Sequence, residues 1–142
     1  SPYRRRAVVE QLPSNTEYGT LIHPSAVVSK RAQIGVGTII APGCVVTTSV
    51  QVGAHSHINY NSTISHDCST GDYFTTGPGA RLNGGCTLGD GVYLGSNAAV
   101  KQRTQICSDV VVGMGGVVVA DITETGTYIG VPVHKIYDGP SL

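Results

Sequence analysis

Six side chains able to hold, move or orient a proton fall between positions 55 and 67: His55, His57, Asn59, Asn61, His66 and Asp67. An imidazole changes charge near neutral pH, and a carboxylate beside it can fix its orientation and stabilise its protonated form. The adjacent pair His66 and Asp67 is therefore a candidate general base with its orienting partner. His57 and Asn61 are the candidate substrate contacts of the same cluster. No Cys-x-x-Cys spacing suggests a zinc site, and no metal is expected.

Those residues need a scaffold, and the sequence supplies a regular one. From Ile22 the chain divides into seventeen hexads without an insertion, from IHPSAV to VVADIT, ending at Thr123. The first position is aliphatic in fifteen of them, with Thr70 and Thr76 the exceptions. The fifth position is mostly small, and the second is Gly in seven hexads. A period of six fits neither a 3.6-residue helix nor a simple two-residue alternation. It fits a short strand plus a corner, with one large and one small side chain inward and Gly, Asn or Asp taking the strained corner dihedrals. Three hexads close one triangular coil, and each strand pairs with the one a coil above at ~4.8 Å. The reading is all-β: about six coils of a parallel solenoid that is stable only when its neighbours stack. Residues 1–21 are a lead-in, 22–123 the β-helix, and 124–142 a C-terminal strand and loop that leaves the six-residue period.

Residues eighteen apart then form vertical columns. The column of His66 reads Thr48, His66, Gly84, Gln102, so Gly84 leaves space over the imidazole, and Gly85 is expected to do the same over Asp67. A second column, Pro24, Pro42, Tyr60, Pro78, Ser96, Met114, offers short side chains and open backbone beside Gly95, Gly113 and Gly115. A long flexible ligand lying parallel to the prism axis could exchange hydrogen bonds with successive coils there.

Composition agrees with a narrow core. Among 142 residues there are 19 Gly, one Phe, one Met and no Trp. Only 13% of residues are charged and the net charge is zero, so nothing here recruits nucleic acid or an anionic membrane. The Arg4-Arg5-Arg6 run is read as a solvated flank. No stretch is apolar for long enough to span a bilayer, and no signal-peptide pattern opens the chain. The start at Ser1, without Met, is consistent with a removed N-terminal portion. Cys44, Cys68 and Cys86 take the small inward position. Cys68 and Cys86 stack with parallel Cβ vectors, which is poor disulfide geometry, so reduced core thiols are expected.

Together the hexads, the Ile64-Ser65-His66-Asp67-Cys68 stretch, Ile22-His23-Pro24-Ser25-Ala26, Gly71-Asp72 with Pro78-Gly79-Ala80, and the terminal Gly130-Val131-Pro132-Val133-His134-Lys135 segment resemble the hexapeptide-repeat acyltransferases. The chain is most similar to the bacterial sugar O- and N-acetyltransferases, over nearly its whole length from about Arg4 to Ile136. The resemblance implies a left-handed β-helix, since general crossover rules favour the other hand. It implies acetyl-CoA as acyl donor, a sugar or sugar-nucleotide acceptor, a homotrimer with active sites between subunits, and a cytoplasmic setting. It implies His66 as general base and Asp67 as its partner. Direct attack of the acceptor on the thioester then needs no covalent enzyme intermediate. Gly84, Gly95, Ser96, Gly113 and Met114 would border the pantetheine arm, and Pro132 and Lys135 would meet the adenine and phosphates. Thr75 stands where many relatives carry a second His that contacts the acetyl carbonyl. A hydroxyl would donate a weaker hydrogen bond there, and His57, one coil below, is a partial substitute. Relatives usually carry an N-terminal sugar-nucleotide-binding domain, and the stretch from Tyr3 to Gln11 reads like its tail.

Two rival readings use the same fold. A carbonic anhydrase-like metalloenzyme would need three converging His, and His55, His57 and His66 cluster in sequence with only His23 upstream. The other is non-enzymatic, a trimeric scaffold or an ice-binding solenoid; ice binders present regular Thr ladders, which the chain lacks.

Overall fold

The computed structural model describes residues 1–139, so positions 140–142 of the C-terminal segment lie outside the described residues. Seventeen strands of two or three residues follow one another from Leu21–Ile22 to Val117–Val118, one per hexad. They stack on three faces of a prism. The first face carries, among others, His57–Ile58, Thr75–Thr76, Tyr93–Leu94 and Val110–Val112; the second carries Thr63–Ile64 and Arg81–Leu82; the third carries Ser69–Thr70 and Thr87–Leu88. Pairing within the stacks is parallel with an eighteen-residue offset, as in His57 beneath Thr75 and Thr75 beneath Tyr93. The chain is thus a parallel β-helix of about six coils, as the hexads predict, and left-handed, as the resemblance implies.

The inward positions close the core. From Ile40 to Val118 every first-position side chain is buried, and from Thr38 to Gly116 every fifth-position residue is. Each Ile, Leu or Val fully removed from water contributes roughly 1.5–3 kcal/mol. The two exceptions in the aliphatic column are satisfied polar groups. Thr76 Oγ1 lies 2.9 Å from Ser62 Oγ and accepts from Asn59 N at 2.8 Å. Thr70 Oγ1 accepts from Gly53 N at 3.4 Å. The inward thiols also have partners, Cys68 Sγ donating to Asn83 O and Cys86 Sγ to Lys101 O, each at 3.1 Å.

The corners differ in part from expectation. Positive φ falls at the fourth position of fourteen successive hexads, from Gly37 to Gly115. Ten of these residues are Gly, Asn or Asp, but Ser49, His55, Tyr73 and Arg103 adopt the same left-handed region at φ 54–60°. The second-position glycines do something else. An added Cβ at Gly53 would stand 2.2 Å from Gly71 O, so the absent side chain is what lets successive coils approach.

Two elements lie outside the repeat. The C-terminal segment, expected as one strand and a loop, is a hairpin: Gly126–Gly130 extends the first face in parallel with Val110–Val112, and Val133–Tyr137 returns antiparallel. The N-terminal stretch is a helix, α1 (Pro2–Gln11), with Pro in its first turn and a stop ahead of Pro13. Ten residues are too few for a stable isolated helix. Contacts with the solenoid hold it, and they overturn the reading of Arg4-Arg5-Arg6 as a solvated flank. Arg4 is exposed, but Arg5 and Arg6 are half-buried against the corner that joins the third face to the first. Arg6 Nη1 pairs with Asp109 Oδ1 at 3.2 Å, and its guanidinium lies 5.2 Å from the Tyr73 ring centre. Tyr73 in turn stacks on His55 at 5.4 Å, and Tyr18 meets His55 edge-on at 4.5 Å.

Candidate active site

His66 and Asp67 sit on the corner that joins the second face to the third. Asp67 is in the left-handed region, at φ 58°. Its carboxylate lies alongside the preceding residue, and Asp67 Oδ2 is 2.8 Å from His66 Nδ1. Both side chains are about two-thirds exposed, so the pair is solvated and reachable. With Nδ1 engaged, Nε2 is the nitrogen left to exchange a proton. Gly84 lies over this nitrogen: an added Cβ there would stand 2.6 Å from Nε2 and 2.7 Å from Cε1. The notch expected above the imidazole is present. The companion notch is not where expected, since a Cβ on Gly85 would meet Arg103 Cγ at 3.3 Å and reaches no atom of Asp67.

A groove of about 230 Å³ runs along the upper first face and its following corner. Its lining brings together Ser96 and Met114 of the second column, the adjacent Gly95 and Gly113, and Tyr93, Val111 and Thr127. Met114 is 83% exposed, so the rim is open. Tyr93 was missed by the sequence reading, although it stands eighteen residues after Thr75 in the same column. Two larger depressions on the third face, about 320 and 480 Å³, offer hydroxyls and amides but, apart from Cys107, no titratable group.

The remaining expected residues divide. Thr75 is buried, and its hydroxyl donates to Tyr73 O at 3.1 Å while accepting from Arg5 Nη2 at 2.7 Å. That proton is engaged, so Thr75 is not the free donor the sequence suggested. His57, directly below, is half-buried. Burial first, then the charges of Arg5 and the N-terminal ammonium, hold its imidazole down to about 4, which keeps it neutral at physiological pH. Asn61 occupies the corner below the groove, at φ 55°, with its carbonyl accepting from Arg81. Pro132 follows a cis peptide bond at the hairpin tip. Lys135 is not a free cation, since Glu124 Oε2 and Asp138 Oδ1 each lie 3.1 Å from its ammonium. The three clustered histidines do not converge. His55 lies under α1, His57 on the first face and His66 on a different corner, and among the described residues no group of three His, Cys, Asp or Glu could hold a metal. Nor is any helix among them long and apolar enough to cross a membrane.

Within one prism the His66 corner lies opposite the first face, because that corner joins the other two.

No protein-family model and no curated protein matches the sequence. Solved structures do. A variant of perosamine N-acetyltransferase from Caulobacter crescentus, in complex with CoA and GDP-perosamine, aligns with a TM-score of 0.89 at 32% identity, over 96% of this chain and 65% of that one. The acetyltransferase domain of PglB from Neisseria gonorrhoeae, in complex with acetyl coenzyme A, aligns at 0.91 with 31% identity, over 95% of this chain and 66% of that one. WeeI from Acinetobacter baumannii aligns at 0.90 with 29% identity, over 95% and 66%. The chain therefore spans slightly under two thirds of the length of these relatives.

Proposed function

The solved neighbours of this chain are hexapeptide-repeat sugar N-acetyltransferases whose fold it shares, and from that premise we propose that it transfers an acetyl group from acetyl-CoA to an amino or hydroxyl group of a sugar or nucleotide-linked sugar. The observation that carries the proposal is the Asp67-oriented His66, with Nε2 free beneath the glycine notch.

In this reading His66 Nε2 takes the proton of the acceptor as its nitrogen or oxygen attacks the thioester carbon. The new C–N or C–O bond forms while the carbonyl π electrons move to oxygen. Collapse breaks the C–S bond, and CoA leaves as thiolate. Asp67 stabilises the imidazolium formed on the way, and a positioned base of this kind contributes about 10²–10⁴ in rate. The pantetheine arm follows the groove lined by Ser96 and Met114.

The opposition of the groove and the His66 corner supports a homotrimer, in which each active site takes its groove from one chain and its His66 from the next. Domain roles follow the repeat: residues 22–123 form the acyltransferase β-helix, 124–139 its CoA-contacting hairpin, and 1–21 the lead-in. Reduced core thiols and the supply of acetyl-CoA fit a cytoplasmic setting.

The test is calorimetric titration with acetyl-CoA of the wild-type protein and His66→Ala, followed by CoA release with GDP-perosamine as acceptor. Both proteins should bind acetyl-CoA, and only the wild type should release CoA at speed. No binding at millimolar acetyl-CoA by a folded, trimeric protein would remove the transferase assignment and favour a scaffold.

A further inference from the structure

We infer that the site accepts acyl groups longer than acetyl, and that a straight apolar acyl chain of medium length lies in a hollow on the lower first face; the inference rests on the CoA-dependent transfer proposed above. From His57 downward two depressions follow one another on this face. The upper, about 140 Å³, is lined by His57 and Asn59, and the lower, about 330 Å³, by Leu21, Ile22 and Pro42, among others. Ile39, Ala41 and Tyr60 line both, so the two are continuous. Among the described residues no Asp, Glu, Lys or Arg lines either.

The apolar character is local. Leu21 is 64% exposed, Ile39 39% and Tyr60 54%. Directly above Leu21 and Ile39 the outward column changes to His57, Thr75 and Tyr93. Single exposed aliphatics need no explanation, but a contiguous apolar patch in a concave surface marks a binding site.

Height along the prism decides what the hollow meets. His66 comes nine residues after His57 and nine before Thr75, so it stands midway between them. In a trimer whose three-fold axis runs parallel to the prism, the neighbouring copy presents its His66 at that same height. The groove assigned to the pantetheine arm begins above it, at Tyr93 and Ser96, and the hollow begins below it, at His57. The thioester carbon attacked beside His66 therefore lies between the two. A thioester is planar and carries its two carbon chains at opposite ends. With pantetheine leading upward, the acyl chain leads downward along the corner column of Pro78, Tyr60 and Pro42. His57 puts no charge in its way, being neutral at physiological pH. From His57 to Leu21 the hollow descends two coils, about 10 Å, which is room for about eight carbons in a zigzag of ~1.5 Å bonds. The chemistry is the same at every length. The acceptor nitrogen bonds to the carbonyl carbon, the C–S bond breaks, CoA leaves as thiolate, and the proton passes to His66 of the adjoining copy.

The experiment uses the whole chain with GDP-perosamine as acceptor and acetyl-, butyryl-, hexanoyl-, octanoyl- and decanoyl-CoA as donors, reading CoA release. Since the hollow is open on one side, each added methylene is half-buried and should lower KM about twofold. The gain should stop near octanoyl-CoA, where the hollow ends. Ile39→Asp and Leu21→Asp each place a carboxylate in the hollow and should erase the gain, bringing the octanoyl and acetyl KM values together. A general loss of structure would move both values alike and leave their ratio standing. If Ile39→Asp fails to fold by circular dichroism, Leu21→Asp, on the terminal strand, decides alone. A wild-type KM that is flat or rises with chain length overturns the inference, and so does an octanoyl preference that the variants keep. A trimer that either variant dissociates, read by sedimentation, identifies the hollow as a contact between copies and also overturns it. A wild-type protein that transfers no acyl group of any length removes the transferase reading and this inference together, whereas one that transfers acetyl alone removes this inference alone.

Discussion

Gly84→Ala separates the chemistry of this protein from its stability. The added methyl would stand 2.6 Å from His66 Nε2 and 2.7 Å from Cε1, closer than real Cβ atoms come to such neighbours, and 3.1 Å from Cδ2. No backbone atom is among these contacts, and the imidazole is 64% exposed, so the ring can swing into solvent. Gly84 has no positive φ, and alanine fits its backbone without strain. The stability cost should therefore be that of a surface change, within about 0.5 kcal/mol. The cost to catalysis is larger, because the swing breaks the 2.8 Å bond to Asp67 and carries Nε2 away from the acceptor. A displacement of about 1 Å at a reacting group costs on the order of 10² in rate. The assay is kcat by thiol release beside thermal unfolding, with acetyl-CoA affinity as control. A kcat close to wild type would refute the reasoning, since His66 would then not act from beneath Gly84. A large drop in Tm would refute the claim that the ring yields.

Gly53→Ala should behave in the opposite way. Its methyl would meet Gly71 O at 2.2 Å and Asp72 N at 2.5 Å, backbone atoms that cannot move aside, so a loss of about 1–3 kcal/mol is expected by denaturant titration. His57→Gln should flatten the acid limb of the stability curve. The folded pKa of about 4 lies below the ordinary 6.5, so the native state binds fewer protons; wild-type stability is full above about pH 6.5 and falls as pH drops toward 4. Thermal unfolding between pH 7 and pH 4 checks this, and parallel curves for the two proteins would contradict it. Arg6→Ala removes the pairing with Asp109 and the contact with Tyr73 and should cost about 1 kcal/mol, read as faster proteolysis within α1 while the solenoid stays intact.

The repeat was open to reading because each hexad carries its own instruction. An aliphatic residue, a small residue and a corner recur in phase, and the columns they define, such as His57, Thr75 and Tyr93, appear as paired strands. His66, Asp67 and the Gly84 notch were legible because a column is a statement about neighbours one coil apart. What lies against the outside of the prism was not. Nothing in the hexads says that Arg5 and Arg6 fold back on His55, Tyr73 and Asp109, because that contact joins a non-repeating segment to corner residues fifty or more positions away. The bond that Arg5 donates to the Thr75 hydroxyl oxygen belongs to the same contact. Lys135 was misread for a related reason. Glu124 and Asp138 meet it only because the segment turns back as a hairpin, and the hexad period ends before it.

The stacking rule turns distance along this chain into an angle. Six residues are a third of a turn, and eighteen are none. An insertion of six between Asp67 and Tyr93 would leave every hexad intact and every core position filled, yet rotate the groove by one face away from the arrangement a neighbouring copy must meet. An insertion of eighteen would keep the faces aligned and raise the groove by a single strand spacing, ~4.8 Å. Changes of length that the fold accepts equally are thus unequal for a site shared between chains. Between His66 and the groove the solenoid is quantised in units of eighteen.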